Sequence, residues 1–264
     1  MMEKQRPSAP VWARWIYVVV VVLIFLPLLW MFVGAFLQTT EAGVMWTLHW
    51  FEQVFLDKAL VAAFGRSLWV GFCSSVLATI LGTIGAFVLV KRGLAGQILA
   101  GFNIVILMLP EIIFALSLLS WFILFQFSLG LMTVIFAHVT FSLSYVMLTV
   151  MARLRELDQS FVDAAQDLGA SEWQVLTRVT LPLLKPAILS GFVLSYLLSF
   201  DDFLITFFVN GPGNDTLPVK LFAALKMGMS PKLNALSSLM FVITFVGFIV
   251  LYKTRKRSAQ QKVG

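Results

Sequence analysis

The chain is 264 residues long, 60% hydrophobic and only 12% charged, with a mean hydropathy of +0.94. A soluble domain averages about 45–50% apolar and about 25% charged residues, so a water-soluble globule is excluded, as are a disordered chain, a collagen and a coiled coil. The single cysteine, Cys73, excludes an intrachain disulfide framework or Cys-x-x-Cys motif, and the net charge of +6 would point to nucleic acid only if the basic residues formed a surface stripe.

A helix crossing a hydrocarbon core of about 30 Å needs about 20 apolar residues. In chain order, six stretches meet that need: Trp15–Leu37, Leu68–Val90, Ile98–Phe125, Leu131–Met151, Ala187–Asn210 and Ala235–Tyr252. They are continuous runs, unlike the alternations of a membrane barrel. The expected fold class is all-α integral membrane, with six transmembrane helices over residues 15–252. A cytoplasmic tail, 1–14, precedes them and a basic cytoplasmic tail, 253–264, follows. The first run is too long for a cleavable signal peptide and has no small-residue cleavage site behind it.

Six spans bring both termini to one side. That side collects Lys4, Arg6, Arg14, Lys91, Arg92, Arg153, Arg155, Arg178 and Lys185, and the tail residues Lys253, Arg255, Lys256, Arg257 and Lys262. The opposite side holds Lys58, Arg66, Lys220, Lys226 and Lys232. Fourteen of the 19 basic residues against five place both termini in the cytoplasm. Trp12 and Trp15 fit an inner aromatic belt, and Trp46, Trp50 and Trp69 an outer one.

The cytoplasmic loop 152–186, between the fourth and fifth spans, is the most patterned part of the chain. Ser160 precedes Asp163 by three residues, a capping arrangement that predicts a helix start. Gly169 predicts its end, and Ser171 with Gln174 caps a second helix. Leu181-Pro182 is expected to break that helix, with Pro186 at the start of the next span. A two-turn helix carrying Phe161, Val162, Ala164, Ala165 and Leu168 needs a surface to cover its apolar side. Either the membrane and its own bundle provide that surface, or a cytoplasmic partner does.

Three carboxylates, Glu111, Asp201 and Asp202, fall inside spans. Each costs about 2.5–3.5 kcal/mol at a helix centre on insertion scales, and such residues face a bundle interior or a watery path. Counted from the cytoplasmic end, Glu111 and Asp201 both lie about 20 Å up. Neighbours on a helix point about 100° apart, so Asp201 and Asp202 are expected to diverge, one lining a path and the other bonding a nearby helix. Pro110 is expected to leave the Ile106 carbonyl without its helical partner. No Lys or Arg lies at this depth. The acids are therefore either protonated packing residues or a path for a cationic solute. Tyr145 and Tyr196 either pack or meet an ammonium by cation–π contact. His49 and His138 have no metal-ligand spacing around them. Gly82 and Gly85 permit close helix approach, and Leu217–Met229 reads as an outer surface helix or a cap on the bundle. No Walker A sequence or catalytic triad appears, so no enzyme activity is expected of this chain. An intramembrane protease would need two acids on different helices at one point. A proton-relaying secondary transporter, driven by an ion gradient, is the alternative from another class.

Asp163-Ala164-Ala165, three residues, Gly169, nine residues, then Val179-Thr180-Leu181-Pro182 resembles the EAA motif of ATP-binding-cassette importer permeases, with Asp for the leading Glu and Val for Ile. The resemblance, to the MetI-like type I permeases, runs from about Leu68 to Tyr252. It implies that Asp163, Ala164, Ala165, Leu168, Gly169 and Ser171 form a coupling helix docked on an ATPase. Ser199-Phe200-Asp201-Asp202, Phe208-Val209-Asn210-Gly211-Pro212-Gly213 and Thr216-Leu217-Pro218 resemble the second permease subunit of spermidine/putrescine importers, with Lys232 where an acid is common. Glu111, Asp201, Asp202 and Tyr196 would then line the solute path. The resemblance implies a bacterial inner-membrane location and four kinds of partner: a second permease subunit making a heterodimer, two ATP-binding subunits, an extracytoplasmic solute-binding protein, and membrane lipid. No nucleic acid is implied. It implies no cofactor or metal on this chain, with ATP and Mg on the partner ATPase. Another organic amine or small solute remains the alternative cargo.

Overall fold

The computed structural model describes residues 11–40, 43–91, 93–228 and 230–260. Lys4, Arg6, Arg92 and Lys262, counted above for orientation, lie outside the described residues, as does most of the 1–14 tail. Five helices are long and apolar enough to cross a membrane, and a sharply bent pair makes a sixth. The chain divides into two compact units, Met1–Asp57 with Ala224–Phe241, and Lys58–Ala223 with Val242–Gly264.

In the first unit, α1 (Val11–Ala35) is apolar on every side and almost wholly exposed, as a helix facing lipid is. A short hairpin follows, β1 (Leu37–Thr40) antiparallel to β2 (Gly43–Trp46), the only strands among the described residues. Helix α2 (His49–Leu56) folds back on it, with the Trp50 indole N–H donating to the Leu37 carbonyl at 2.9 Å and Phe36 against Phe51. The last helix, α12 (Pro231–Gln260), meets α1 through Phe241 edge-on to Phe32. Lys232, noted above as unusual, pairs with Asp57 at 2.7 Å.

The second unit is built on α3 (Lys58–Lys91), α6 (Leu131–Arg155) and α9 (Leu181–Asp201), which pack on one another. Small residues allow it: a Cβ on Gly82 would sit 2.9 Å from that of Val146, and one on Gly85 would meet the Met147 sulfur. Gly82 and Gly85 therefore serve the contact with α6.

Three sequence expectations are corrected. The third span is not one helix. It breaks at Leu109-Pro110 into α4 (Gly93–Met108) and α5 (Glu111–Leu124), bent by 103°, because Pro110 has no N–H to continue the ladder. The Ile106 carbonyl is not left open, since the Leu109 N–H bonds it at 3.3 Å. The fifth span also breaks, at Asp202-Phe203, after which α10 (Leu204–Val209) begins. At the loop, by contrast, no break occurs: α8 (Glu172–Val175) runs through a π-helical turn, Leu176–Thr180, straight into α9. The wider turn takes Pro182 without ending the helix, the Leu181 N–H reaching back to Leu176. Pro186 lies inside α9, and the Ser190 hydroxyl bonds its carbonyl at 2.8 Å. Beyond α10, α11 (Leu217–Lys226) does form a helix, with Leu217, Pro218 and Val219 buried.

Candidate substrate path and coupling segment

Backbone at Asp202 leaves the helix (φ −65°, ψ 128°), and its side chain closes the gap. One carboxylate oxygen accepts the Ile205 N–H at 3.3 Å; the other accepts the Thr206 N–H at 2.8 Å and the Thr206 hydroxyl at 2.7 Å. Asp202 thus caps α10 across the break, as a capping aspartate does. From α6, His138 adds its Nε2 to the same oxygen at 3.0 Å. A carboxylate only accepts, so Nε2 carries the proton. The other ring nitrogen lies 2.6 Å from the Ser199 hydroxyl, to which the Ser74 hydroxyl of α3 donates at 2.9 Å. His138, Ser74, Ser199, Asp202 and Thr206 are all buried. They join the three central helices at the level of the break. The absence of Lys and Arg at this depth does not point to His138; the signal in the sequence is that a histidine in a span is itself an ionisable group needing explanation.

Asp201 diverges as the helical geometry predicts. It is exposed on the last turn of α9, and both its oxygens accept from the Thr244 hydroxyl at 3.0 Å. Glu111 opens α5 directly after the proline break. A cavity of about 490 Å³ brings the three acids together, lined also by Phe141, Tyr145 and Phe203. On its wall the Glu111 carboxyl stands within hydrogen-bond range of that of Asp202. Of the two tyrosines noted in the spans, Tyr145 borders the cavity. Tyr196 instead stacks between Phe192 and Phe200, its ring against Gly71, and is not part of that lining.

On the loop, α7 (Ser160–Asp167) starts as expected but by a different cap. Asp158, not Ser160, supplies the acceptor, taking the Ser160 N–H at 3.0 Å. That bond holds the exposed Asp158 carboxyl below its usual range. Gly169 ends the helix at φ +81°, with its N–H on the Gln166 carbonyl and the Ala170 N–H on that of Ala165. This is the Schellman closure, which needs a left-handed residue and so favours glycine. Ser171 and Gln174 then form the expected capping box. Val162 and Ala165 are half-buried, whereas Phe161, Asp163, Ala164 and Ser171 face outward and Leu168 is 89% exposed. Phe161, Ala164 and Leu168 recur at helical spacing, so one apolar stripe of α7 is uncovered. Behind the hairpin lies a cavity of about 930 Å³, lined by Phe87, Leu154, Val162, Trp173 and Leu176 among others.

Residues 78–257 match the family described as binding-protein-dependent transport system inner membrane component. The chain belongs to that family. Among its relatives, the putrescine transport system permease protein PotI of Escherichia coli is 39% identical over 253 residues, covering 90% of this chain and 89% of the relative. The spermidine/putrescine transport system permease protein PotC of Haemophilus influenzae is 35% identical over 246 residues, covering 91% and 95%. The E. coli PotC is 35% identical over 227 residues, covering 84% and 86%. The fold is that of importer permeases of the MetI-like kind. A bacterial transporter importing the acidic polysaccharide alginate superposes with a TM-score of 0.66 at 16% identity, over 96% of this chain and 99% of that one. The MetNI methionine transporter does so at 0.62 and 16% identity, over 77% and 98%. This permease is thus an inner-membrane transport component, and the family is defined by dependence on a binding protein, not by ion coupling.

Proposed function

We propose that the chain is one of two permease subunits of an ATP-driven polyamine importer, with both termini in the cytoplasm. The observation that carries the cargo is the gathering of Glu111, Asp201 and Asp202 around one cavity within the spans. Carboxylates there suit a solute that brings its own positive charge. The names of the relatives, which are putrescine and spermidine/putrescine permeases, support the same class. The uncovered stripe of α7 supports a docking role. Phe161 and Leu168 expose apolar area that a cytoplasmic ATPase would cover, with Asp163, Ala164, Ala165, Gly169 and Ser171 around them.

In this mechanism a solute-binding protein delivers the amine at the outer face. ATP and Mg bind only on the partner subunits. Closure of those subunits moves α7, and through the continuous α8–α9 rod the movement reaches the broken span that carries Asp201 and Asp202. Access to the cavity then alternates between the two sides. The test is uptake of labelled putrescine and spermidine by proteoliposomes holding the complete complex, with and without ATP. ATP-dependent uptake that falls at least tenfold in Asp201→Asn is expected. Uptake kinetics unchanged in both Asp201→Asn and Asp202→Asn would discard the acidic path.

A further inference from the structure

The three carboxylates of the cavity are not equivalent. Asp202 takes four donors: the N–H groups of Ile205 and Thr206, the Thr206 hydroxyl and the His138 imidazole. A carboxylate has about four lone-pair sites, so its acceptors are filled from within the chain, and Asp202 is only 8% exposed. Asp201 is exposed and takes one hydroxyl, that of Thr244. Glu111 borders the cavity from the mouth of a different helix.

Three of the four donors on Asp202 come from α10 itself and are local capping. The fourth crosses from α6. His138 is held in place from behind by Ser199, and Ser199 by Ser74. Its Nε2 proton lies 3.0 Å from both the Asp202 carboxylate and the Thr206 hydroxyl oxygen, so the ring can turn away only by leaving both and breaking its bond to Ser199. We propose that His138 is a positioning residue for the transport site. By holding the Asp202 carboxylate against α6 and α10, it withdraws one acid from the solute, so that an amine meets the pair Glu111 and Asp201. This rests on the amine reading above and narrows it to the two carboxyl groups, Glu111 and Asp201, that remain open at the cavity.

The test uses the complete complex in proteoliposomes and a hydrophobic carbodiimide, which forms adducts with carboxyl groups reachable within the membrane. Adduct positions are mapped by peptide mass spectrometry over time. In the unaltered protein, Glu111 and Asp201 should react at least tenfold faster than Asp202, and putrescine should slow both. His138→Phe, which keeps the ring's bulk but not its donor, should raise the Asp202 rate at least tenfold. His138→Gln, which keeps a donor, should restore protection. A purely structural role would change thermal survival without changing the order of reaction. The proposal is overturned if Asp202 reacts as fast as Asp201 in the unaltered protein, or stays protected in His138→Phe. Where His138→Phe does not assemble, His138→Leu takes its place and the Asp202 rate in that variant decides. If the order holds but putrescine protects neither acid, the amine reading fails and the positioning role of His138 stands.

Discussion

Replacing Asp202 by Ala should damage the fold, whereas replacing its neighbour Asp201 should damage transport. Asp202→Ala removes the cap of α10, worth about 1 kcal/mol. It also takes the acceptor from the buried Thr206 hydroxyl, while the His138 Nε2–H keeps the Thr206 oxygen at 3.0 Å, and an unsatisfied buried group costs about 1–3 kcal/mol. Relief of the carboxylate's own desolvation offsets part of this. Removing one partner of a buried pair costs about 3–5 kcal/mol in practice. Asp201→Ala loses only a hydroxyl hydrogen bond at an exposed position, about 0.5–1.5 kcal/mol. The difference of about 2.5–3.5 kcal/mol corresponds to a factor of about 60–300. The assay is the half-life of the detergent-solubilised complex at a fixed raised temperature, followed by size-exclusion chromatography. Asp202→Ala should shorten it at least a hundredfold and Asp201→Ala no more than about tenfold. Equal half-lives, or a larger loss for Asp201→Ala, would show that the capping network does not hold the break.

Gly169→Asp should abolish uptake while leaving membrane insertion intact. Asp tolerates the left-handed backbone better than most residues, and a Cβ there meets nothing in this chain, so any clash comes from a docked partner; uptake at the normal rate would reject docking. Gly82→Leu should separate α3 from α6 and lower thermal survival, since Val146 and the Leu143 carbonyl leave no room for a side chain; unchanged survival would refute the close approach. Gly211→Ala should cost about 1–3 kcal/mol, because its Cβ would strike the Leu129 backbone, which no rotamer change can relieve; the Thr133–Val209 bond beside it, 2.7 Å, should weaken, seen as faster amide exchange in α10. Asp158, whose carboxyl is held low by the Ser160 N–H, contributes order to α7 above its ordinary pKa and loses it only as pH falls through the depressed value; amide exchange at the start of α7, corrected for intrinsic rates, should therefore not change between pH 7 and pH 5.

Composition and hydropathy sufficed for the membrane class, because apolar runs of 20 residues have few other uses. The loop hairpin was legible residue by residue, since capping and the glycine turn depend on short-range geometry: Gly169 and the Ser171–Gln174 box stand where the pattern put them. The breaks in the third and fifth spans were not. Hydropathy averages over a window, and a chain can turn through 103° between two apolar halves without changing that average. Pro182 misled in the other direction, because a π turn absorbs a proline that an α-helix would not. His138 was invisible for a different reason: its partners Asp202 and Ser199 lie 64 and 61 residues away, and only tertiary packing brings them within hydrogen-bond range. Tyr196 shares its helix with Asp201, yet helical phase turns its ring into an aromatic stack instead.

The helix breaks and the acids belong to one physical solution. A carboxylate in the hydrocarbon region lacks water, and an unbroken helix has no free N–H groups to give it. Breaking the helix exposes the N–H groups of a new first turn, which carry partial positive charge. Asp202 takes two of those N–H groups at the start of α10, and Glu111 stands in the first turn of α5 directly after Pro110. At α10 the break therefore supplies what Asp202 lacks, and Asp202 occupies donors that the break would otherwise leave open; at α5 the Ile113 and Phe114 N–H groups go to the Pro110 carbonyl instead. It follows that proline or glycine substitutions elsewhere in these spans would not be equivalent to the native breaks, since they would open donors with no carboxylate to receive them. It follows too that the broken ends are where the bundle can change shape with least loss of backbone bonding. Asp201 and Asp202, on the last turn of α9 and in the gap behind it, would then move relative to Glu111 whenever the hairpin at the far end of the same rod is displaced.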